Sequence, residues 1–258
     1  MSMYDIILAK FALIMKKLAQ VNASEQKVYN AGYEKGKAEG GYEQGVADGK
    51  QAEYDAFWDA FQENGNRTNY SLAFSGKTWV DSIFKPKYAI KVTGYADYLF
   101  SQTGITDIKG VSLDTSGATT LANALYMASI THLPIIDCSG VNRGGGMQSL
   151  ISNCTNLVSI EKIIMPDPTL ISHYASFLAG CSKLENVVIE GVIGKGSLDM
   201  KASTKLSHDS IVSIINALST ATSGLSITLS KTAKEAAFTA DEWAALIATK
   251  PNWTINLV

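Results

Sequence analysis

Aliphatic residues recur through the middle of this chain in one spaced pattern. It reads Ile105-x-x-Ile108-x-x-Val111, Ile130-x-x-Leu133-x-Ile135, Leu157-x-x-Ile160-x-x-Ile163 and Leu184-x-x-Val187-x-Ile189. The first anchors, Ile105, Ile130, Leu157 and Leu184, are almost evenly spaced, and a near-constant period of this length marks a stack of repeats. Each unit supplies one short strand and cannot close a core alone, so stacked neighbours must bury a continuous apolar column. The pattern predicts an α/β solenoid of short parallel strands over 95–258, carried on an N-terminal α-helical arm.

That arm is read from a second periodicity. Tyr4, Ile7, Phe11, Ile14, Leu18 and Val21 advance in steps of three and four, a heptad-like seam on one helix stripe. Leu8, Ala12, Met15 and Ala19 widen it. A short helix so apolar is marginal alone in water and needs a partner surface. Either residues 1–30 self-associate, with a trimer favoured, or the helix folds back on its own chain. Residues 31–52 contain a duplication, Gly32 to Gly40 followed by Gly41 to Gly49. Glycine weakens a helix by up to about 1 kcal/mol per position, so this is a pliable neck. Tyr54, Phe57, Trp58 and Phe61 then give an aromatic helix face. Residues 53–94 would use it to cap the open end of the stack, with Trp79, Phe84, Tyr88, Ile90 and Val92 as apolar points in short strands.

Beyond Leu184 the pattern changes. Leu206-Ser207-His208-Asp209 leads into Ile211, Val212, Ile214, Ile215 and Leu218, an amphipathic helix with Ser207 as N-cap. Thr239-Ala240-Asp241-Glu242 fits a capping box opening a helix that buries Trp243, Leu246 and Ile247. Strands around Ile227 and Ile255 are separated by close to the earlier period. These helix–strand units are expected to continue the same sheet.

Composition narrows the picture. Hydrophobic residues are 46% and charged residues 18%, which suits a buried core. The formal net charge is −2, so no global basic field draws nucleic acid or acidic lipid. The apolar N-terminal stretch lacks a basic region before it and a clean cleavage site after it, and is too short for a bilayer span. The expectation is synthesis in a bacterial cytoplasm, with no membrane span. Three cysteines cannot all pair; Cys154 and Cys181 hold the same place before Leu157 and Leu184 and read as small core residues.

Phe177-Leu178-Ala179-Gly180-Cys181-Ser182-Lys183-Leu184-Glu185-Asn186-Val187 resembles the unit of BspA-like, Treponema-type leucine-rich repeats, and Leu150 to Ile160 matches as well. The units at 105 and 130 share only the apolar anchors. The segment Gln51 to Gly65 and the Leu206 to Leu218 helix are similar to repeat proteins of gut bacteria and their phages. The resemblance implies a leucine-rich-repeat-like solenoid used for adhesion or recognition, without cofactor. Its exposed sheet would carry Asp107, His132, Ser159 and Asn186 in one row, with Lys109, Pro134, Glu161 and Val188 alongside. Asp107, Lys109, His132, Ser159, Glu161 and Asn186 are the candidate ligand-binding residues, set against an ordinary solvated sheet.

Chemical motifs are thin. Ser75-Gly76-Lys77-Thr78 lacks the first glycine of a phosphate loop, since position 71 is Ser71. Arg143-Gly144-Gly145-Gly146 fits an exposed turn better than an anion-holding nest. His132, His173 and His208 share no metal or nucleophile spacing, and His208 fits local capping. The expected function is non-catalytic recognition or structure, with no catalytic residues, metal or cofactor. The favoured setting is a phage virion, as a tail fibre, receptor-binding or head-decoration protein. It would be a homo-oligomer held to other virion proteins by its arm, facing a host surface protein or glycan. A bacterial cell-surface adhesin is the first alternative; a glycan-active enzyme on a repeat scaffold is the second.

Overall fold

A computed structural model describes residues 71, 73–76, 90–106, 108, 113–172, 174 and 176–258. The expected arm with Tyr4, Ile7, Phe11, Ile14, Leu18 and Val21, the neck and the aromatic helix lie outside these residues, as do Asp107 and Lys109.

Eight short strands are described: β1 (Ile90–Lys91), β2 (Leu113–Asp114), β3 (His132–Asp137), β4 (Ser159–Ile164), β5 (Asn186–Glu190), β6 (Leu198–Met200), β7 (Leu225–Leu229) and β8 (Trp253–Leu257). Three helices, α1 (His208–Ala217), α2 (Lys231–Ala237) and α3 (Ala240–Ala248), fall among the last of them. Every described strand pair is parallel. The strands form three small open sheets, β1-β2, β3-β4-β5 and β6-β7-β8. Parallel neighbours need a long return segment. Here each strand in the middle sheet meets the one a full period further along the chain, as in His132↔Ser159 and Ser159↔Asn186.

The spaced aliphatics make this register. Leu133, Ile160 and Val187 are direct partners across β3, β4 and β5. They are buried with Ile105, Ile108, Ile130, Leu157, Ile163, Leu184 and Ile189. Burying each such side chain contributes about 1.5–3 kcal/mol. One anchor needs correction: Ile135 is 39% exposed, and Ile136 is buried in its place at 2%. The second unit therefore has the same spacing as the third. In β3 and β4 the inward residues are three apart, so two consecutive side chains face out; in β5 they are two apart. The mismatch appears as a register shift between Ile160 and Ile163.

The return segments form a second ladder. Phe74 N–H donates to the Leu99 carbonyl, Phe100 to Ala124, Leu125 to Leu150 and Ile151 to Phe177, at 2.6–3.0 Å. The alternate amides close turns within their own segment, as Leu99 to Ala96 and Ser101 to Tyr98. Two residues per return, four apart, adopt left-handed backbone: Tyr98 and Gln102, Asn123 and Met127, Ser149 and Asn153, Ser176 and Gly180. Beneath them Thr103, Ala128, Cys154 and Cys181 form a buried column. The Cys154 thiol donates to the Leu125 carbonyl and that of Cys181 to the Ile151 carbonyl, each at 2.9 Å. All three cysteines are free and buried, as the spacing predicted for Cys154 and Cys181. Ser203 takes the next place, its hydroxyl donating to the Cys181 carbonyl at 3.0 Å.

The C-terminal units do not continue the middle sheet. Where the next strand would pair, α1 intervenes. The Ser210 hydroxyl accepts from Val187 N–H at 2.9 Å and that of Ser213 from Ile189 N–H at 2.8 Å. An edge of unpaired amides invites association; two serines on one helix face close this one. Ser207 is the N-cap of α1, as expected. Chain pairing then resumes in β6-β7-β8, with Ile227 opposite Ile255. Thr239 and Glu242 complete the capping box of α3. Trp243 is buried there, whereas Leu246 and Ile247 are only half-buried. The Lys250 ammonium, buried at the far end of α1, donates to the Asn216 and Leu218 carbonyls. That is the favourable end of a helix dipole for a cation.

Candidate functional site

The outward face of β3-β4-β5 carries the described candidates. His132, Ser159 and Asn186 stand in one row because they are register partners in adjacent strands. Adjacent strands lie about 4.8 Å apart, so the row spans about 10 Å. His132 Nδ1 and Ser159 Oγ share a hydrogen bond at 2.7 Å, its donor set by the imidazole tautomer. Ser207 Oγ donates to Asn186 Oδ1 at 3.1 Å, extending the polar row onto the start of α1. Glu161 is exposed on β4 and lies opposite Pro134, one step along from the row. Val188 is exposed at 47% on β5. Sequence position thus placed His132, Ser159 and Asn186 together correctly and Glu161 beside them.

The periodicity missed other members of this face. Lys162 Nζ donates to Glu190 Oε2 at 2.7 Å. That hydrogen bond, then the charge of Glu190, holds the ammonium above its ordinary value. An exposed pair of this kind adds little stability, but it neutralises both groups and leaves Glu161 as the adjacent free acid. Ile135 faces the same solvent. The available signal was the opposite charge of Lys162 and Glu190 at nearly one period's separation. The contact is diagonal across the two strands, two places off the local register in which Ile164 partners Glu190, and that obscured it.

Away from the sheet, the Arg143 guanidinium lies 4.4 Å from the centre of the Tyr95 ring and hydrogen-bonds its hydroxyl. The glycine run after Arg143 packs between returns: a Cβ at Gly144 would fall 2.8 Å from Ser172 Oγ. His208 packs tilted against Phe238 with ring centres 4.4 Å apart, and its Nδ1 meets Asp209 Oδ1 at 3.0 Å.

The face presents mixed donors and acceptors beside the exposed apolar side chains of Ile135 and Val188. A hydroxyl–imidazole pair becomes a strong nucleophile when a third group orients the ring. Here the pair lies on an open sheet, and its evident effect is to hold the His132 ring against Ser159. Among the described residues no group of three or more His, Cys, Asp or Glu could hold a metal ion. No described helix is long and apolar enough to cross a membrane. A scan against family models, a search of curated proteins and a search of solved structures each found no match.

Proposed function

We propose that residues 95–258 wind as a leucine-rich-repeat-like solenoid that displays a recognition face in a non-catalytic protein. The setting that fits best is a phage virion, as a tail fibre, receptor-binding or head-decoration protein. The observation that carries this reading is the polar row His132, Ser159 and Asn186, held in register above the buried partners Leu133, Ile160 and Val187. A rigid apolar column beneath an exposed row fixes the spacing of its side chains, and preorganisation lowers the entropy lost on binding. Donors and acceptors about 4.8 Å apart suit an extended host polymer, glycan or polypeptide, lying across the strands. Single contacts of this size are weak. Several copies on one arm, a trimer through the seam at Tyr4 to Val21, would multiply them. A cell-surface adhesin would use the same face.

The test compares wild type with Ser159→Arg/Asn186→Arg for binding to intact bacterial cells and to arrayed surface glycans. The two substitutions lie on exposed or half-exposed positions, so melting temperature should hold within a few degrees. Retention of wild type and at least tenfold loss in the variant is the expected result. Equal retention of both would remove the face from the proposal. Peptide mass spectrometry of purified phage particles separates the two settings, since only a virion component co-purifies.

A further inference from the structure

We infer that Cys154 and Cys181 are a site of oxidative modification, where hydrogen peroxide joins two neighbouring returns by a reversible disulfide. The two residues are stacked partners. Asn156 and Lys183 meet across the same two coils at an offset of 27 residues, with Lys183 Nζ 2.9 Å from Asn156 Oδ1. Ser159 and Asn186 keep that offset in the strands. So do Asn153 and Gly180, directly before the thiols, where a Cβ on Gly180 would fall 3.2 Å from Asn153 Cα. The buried column Thr103, Ala128, Cys154, Cys181, Ser203 thus holds one adjacent pair of thiols. Cys138 lies outside it: Asp137 partners Ile164, so Cys138 stands opposite Met165.

The spacing suits a bridge. Asn153 N–H donates to the Ala179 carbonyl at 2.7 Å, and backbones bonded in this way lie about 4.8 Å apart. A disulfide spans roughly 4.4–6.8 Å between Cα atoms. Equivalent side chains on stacked coils run alongside each other rather than apart. Their Cβ atoms stand a little beyond the roughly 3.5–4.5 Å of a relaxed bridge, so the bond forms under strain and is readily reduced. The pair is also chemically unequal. The hydrogen bond between the thiols lowers Cys181 below its ordinary value and raises Cys154. Cys181 is therefore the attacking thiolate. Its sulfur bonds to one peroxide oxygen, the O–O bond breaks, and the departing hydroxide becomes water with the proton that Cys181 gave up. The Cys154 sulfur then attacks the Cys181 sulfenic acid. The S–S bond forms, the S–O bond breaks, and the hydroxide leaves as water with the Cys154 proton. Two thiols give two electrons to one peroxide. Both sulfurs are buried, so attack waits on local opening of the returns.

The full chain, reduced and then treated with hydrogen peroxide while folded, is denatured, alkylated and digested with trypsin. Cys154 and Cys181 fall in separate peptides, Gly144 to Lys162 and Ile163 to Lys183, and Cys138 in a third, Gly110 to Arg143. The expected product is the first two peptides joined, separable by dithiothreitol, with Cys138 alkylated. A denaturing gel without reductant should show single chains. The melting temperature should rise by several degrees, because the bond closes a long loop of the unfolded chain, and should fall back on reduction. Cys138→Ala should give the same bridge and Cys181→Ser none. A bridge that includes Cys138 or joins two chains, separate sulfinic acids at Cys154 and Cys181, or three alkylated thiols after exposure that fully oxidises free cysteine would each overturn the inference. None of these outcomes depends on whether the β3-β4-β5 face binds a host polymer.

Discussion

Gly180 occupies a position where most of its counterparts are not glycine. With φ at +77° it sits in the left-handed region, as do Gln102, Met127 and Asn153 in the preceding returns. Left-handed backbone costs an L-residue about 1–2 kcal/mol. At Gly180 there is a second reason for the missing side chain, because a Cβ would fall 2.2 Å from Asn153 Oδ1. Gly180→Ala should therefore destabilise by about 2 kcal/mol, read as a lower denaturant midpoint with unchanged m. Loss below about 0.5 kcal/mol would mean that the return segments shift freely. The same residues show why half of each unit was illegible. Tyr98, Gln102, Asn123, Met127, Ser149 and Ser176 carry no common chemical type, and the amides of Tyr98, Gln102, Asn123 and Met127 bond to the next return. A conformation imposed by stacking leaves little local signature. One sequence signal was available nearby: Asp114-Thr115-Ser116-Gly117 and Asp137-Cys138-Ser139-Gly140 are near-identical. In both turns the aspartate Oδ1 accepts from the serine N–H two residues on. A Cβ at Gly140 would fall 2.2 Å from the Ser116 carbonyl oxygen, so the turns stack directly.

At the scale of elements, the strands were legible and their grouping was not. The evenly recurring aliphatic anchors foretold β3, β4 and β5, and the matching interval from Ile227 to Ile255 foretold β7 beside β8. What they could not foretell is that α1 would take the place of a strand on the β5 edge. Nothing in apolar periodicity separates a helix packed on a sheet from one that ends it. The deciding residues are polar: Ser210 and Ser213, three apart on one helix face, matched to amides of Val187 and Ile189, two apart on the strand. Ser210 also donates to the Glu185 carbonyl at 3.0 Å. Removing a hydroxyl leaves a shielded amide without a partner, a loss of about 1–3 kcal/mol. Ser210→Ala, the more buried site with two strand bonds, belongs at the upper end, about 2 kcal/mol, and Ser213→Ala at about 1 kcal/mol. Hydrogen exchange gives the sharper readout, because the Val187 and Ile189 amides should lose protection before the β3–β4 pair does. Uniform acceleration across all three strands would instead mean that the helix supports the sheet only by apolar packing. The bulge in β4 acts at this scale too, since one extra residue there changes which side chains line up on the outer face.

For the molecule as a whole, the buried thiols set an asymmetric response to pH. Burial, then the nearby charge of Asp137, pushes the Cys138 thiol far above its ordinary value. The hydrogen bond with Cys181, then burial, does the same for Cys154, and that same bond lowers its partner Cys181. Burial also pushes the Tyr174 hydroxyl up to about 12. The raised groups keep their protons in the folded chain while the unfolded chain releases them. Their contribution is complete below the unfolded pKa, near 8.5 for a thiol, and is lost as pH rises above it. Each fully shifted group removes about 1.4 kcal/mol per pH unit. Lys250 opposes them, because burial lowers its ammonium below the ordinary value. A base with depressed pKa makes stability rise with pH up to its unfolded value, near 10.4. Cys181 opposes them too, but its contribution is complete by the unfolded value near 8.5; above that pH Lys250 stands against Cys138 and Cys154, which gives a net fall. Asp114 and Asp167 act at the other extreme: hydrogen bonds from Ser116 and Thr169 lower their carboxyls, so their contribution goes as pH drops below about 4. Asp167 is exposed and Asp114, at the end of β2, only half-buried, so solvent screening makes that limb shallow. The melting temperature should therefore be level from about pH 5 to 8, fall gently in acid and fall steeply above about pH 9. Cys138→Ala separates this account from general alkaline unfolding. It removes one of the thiols, so its melting temperature should fall less steeply with alkali than that of wild type even though it starts lower. Parallel curves for the two proteins would show that the Cys138 thiol does not contribute to the alkaline limit.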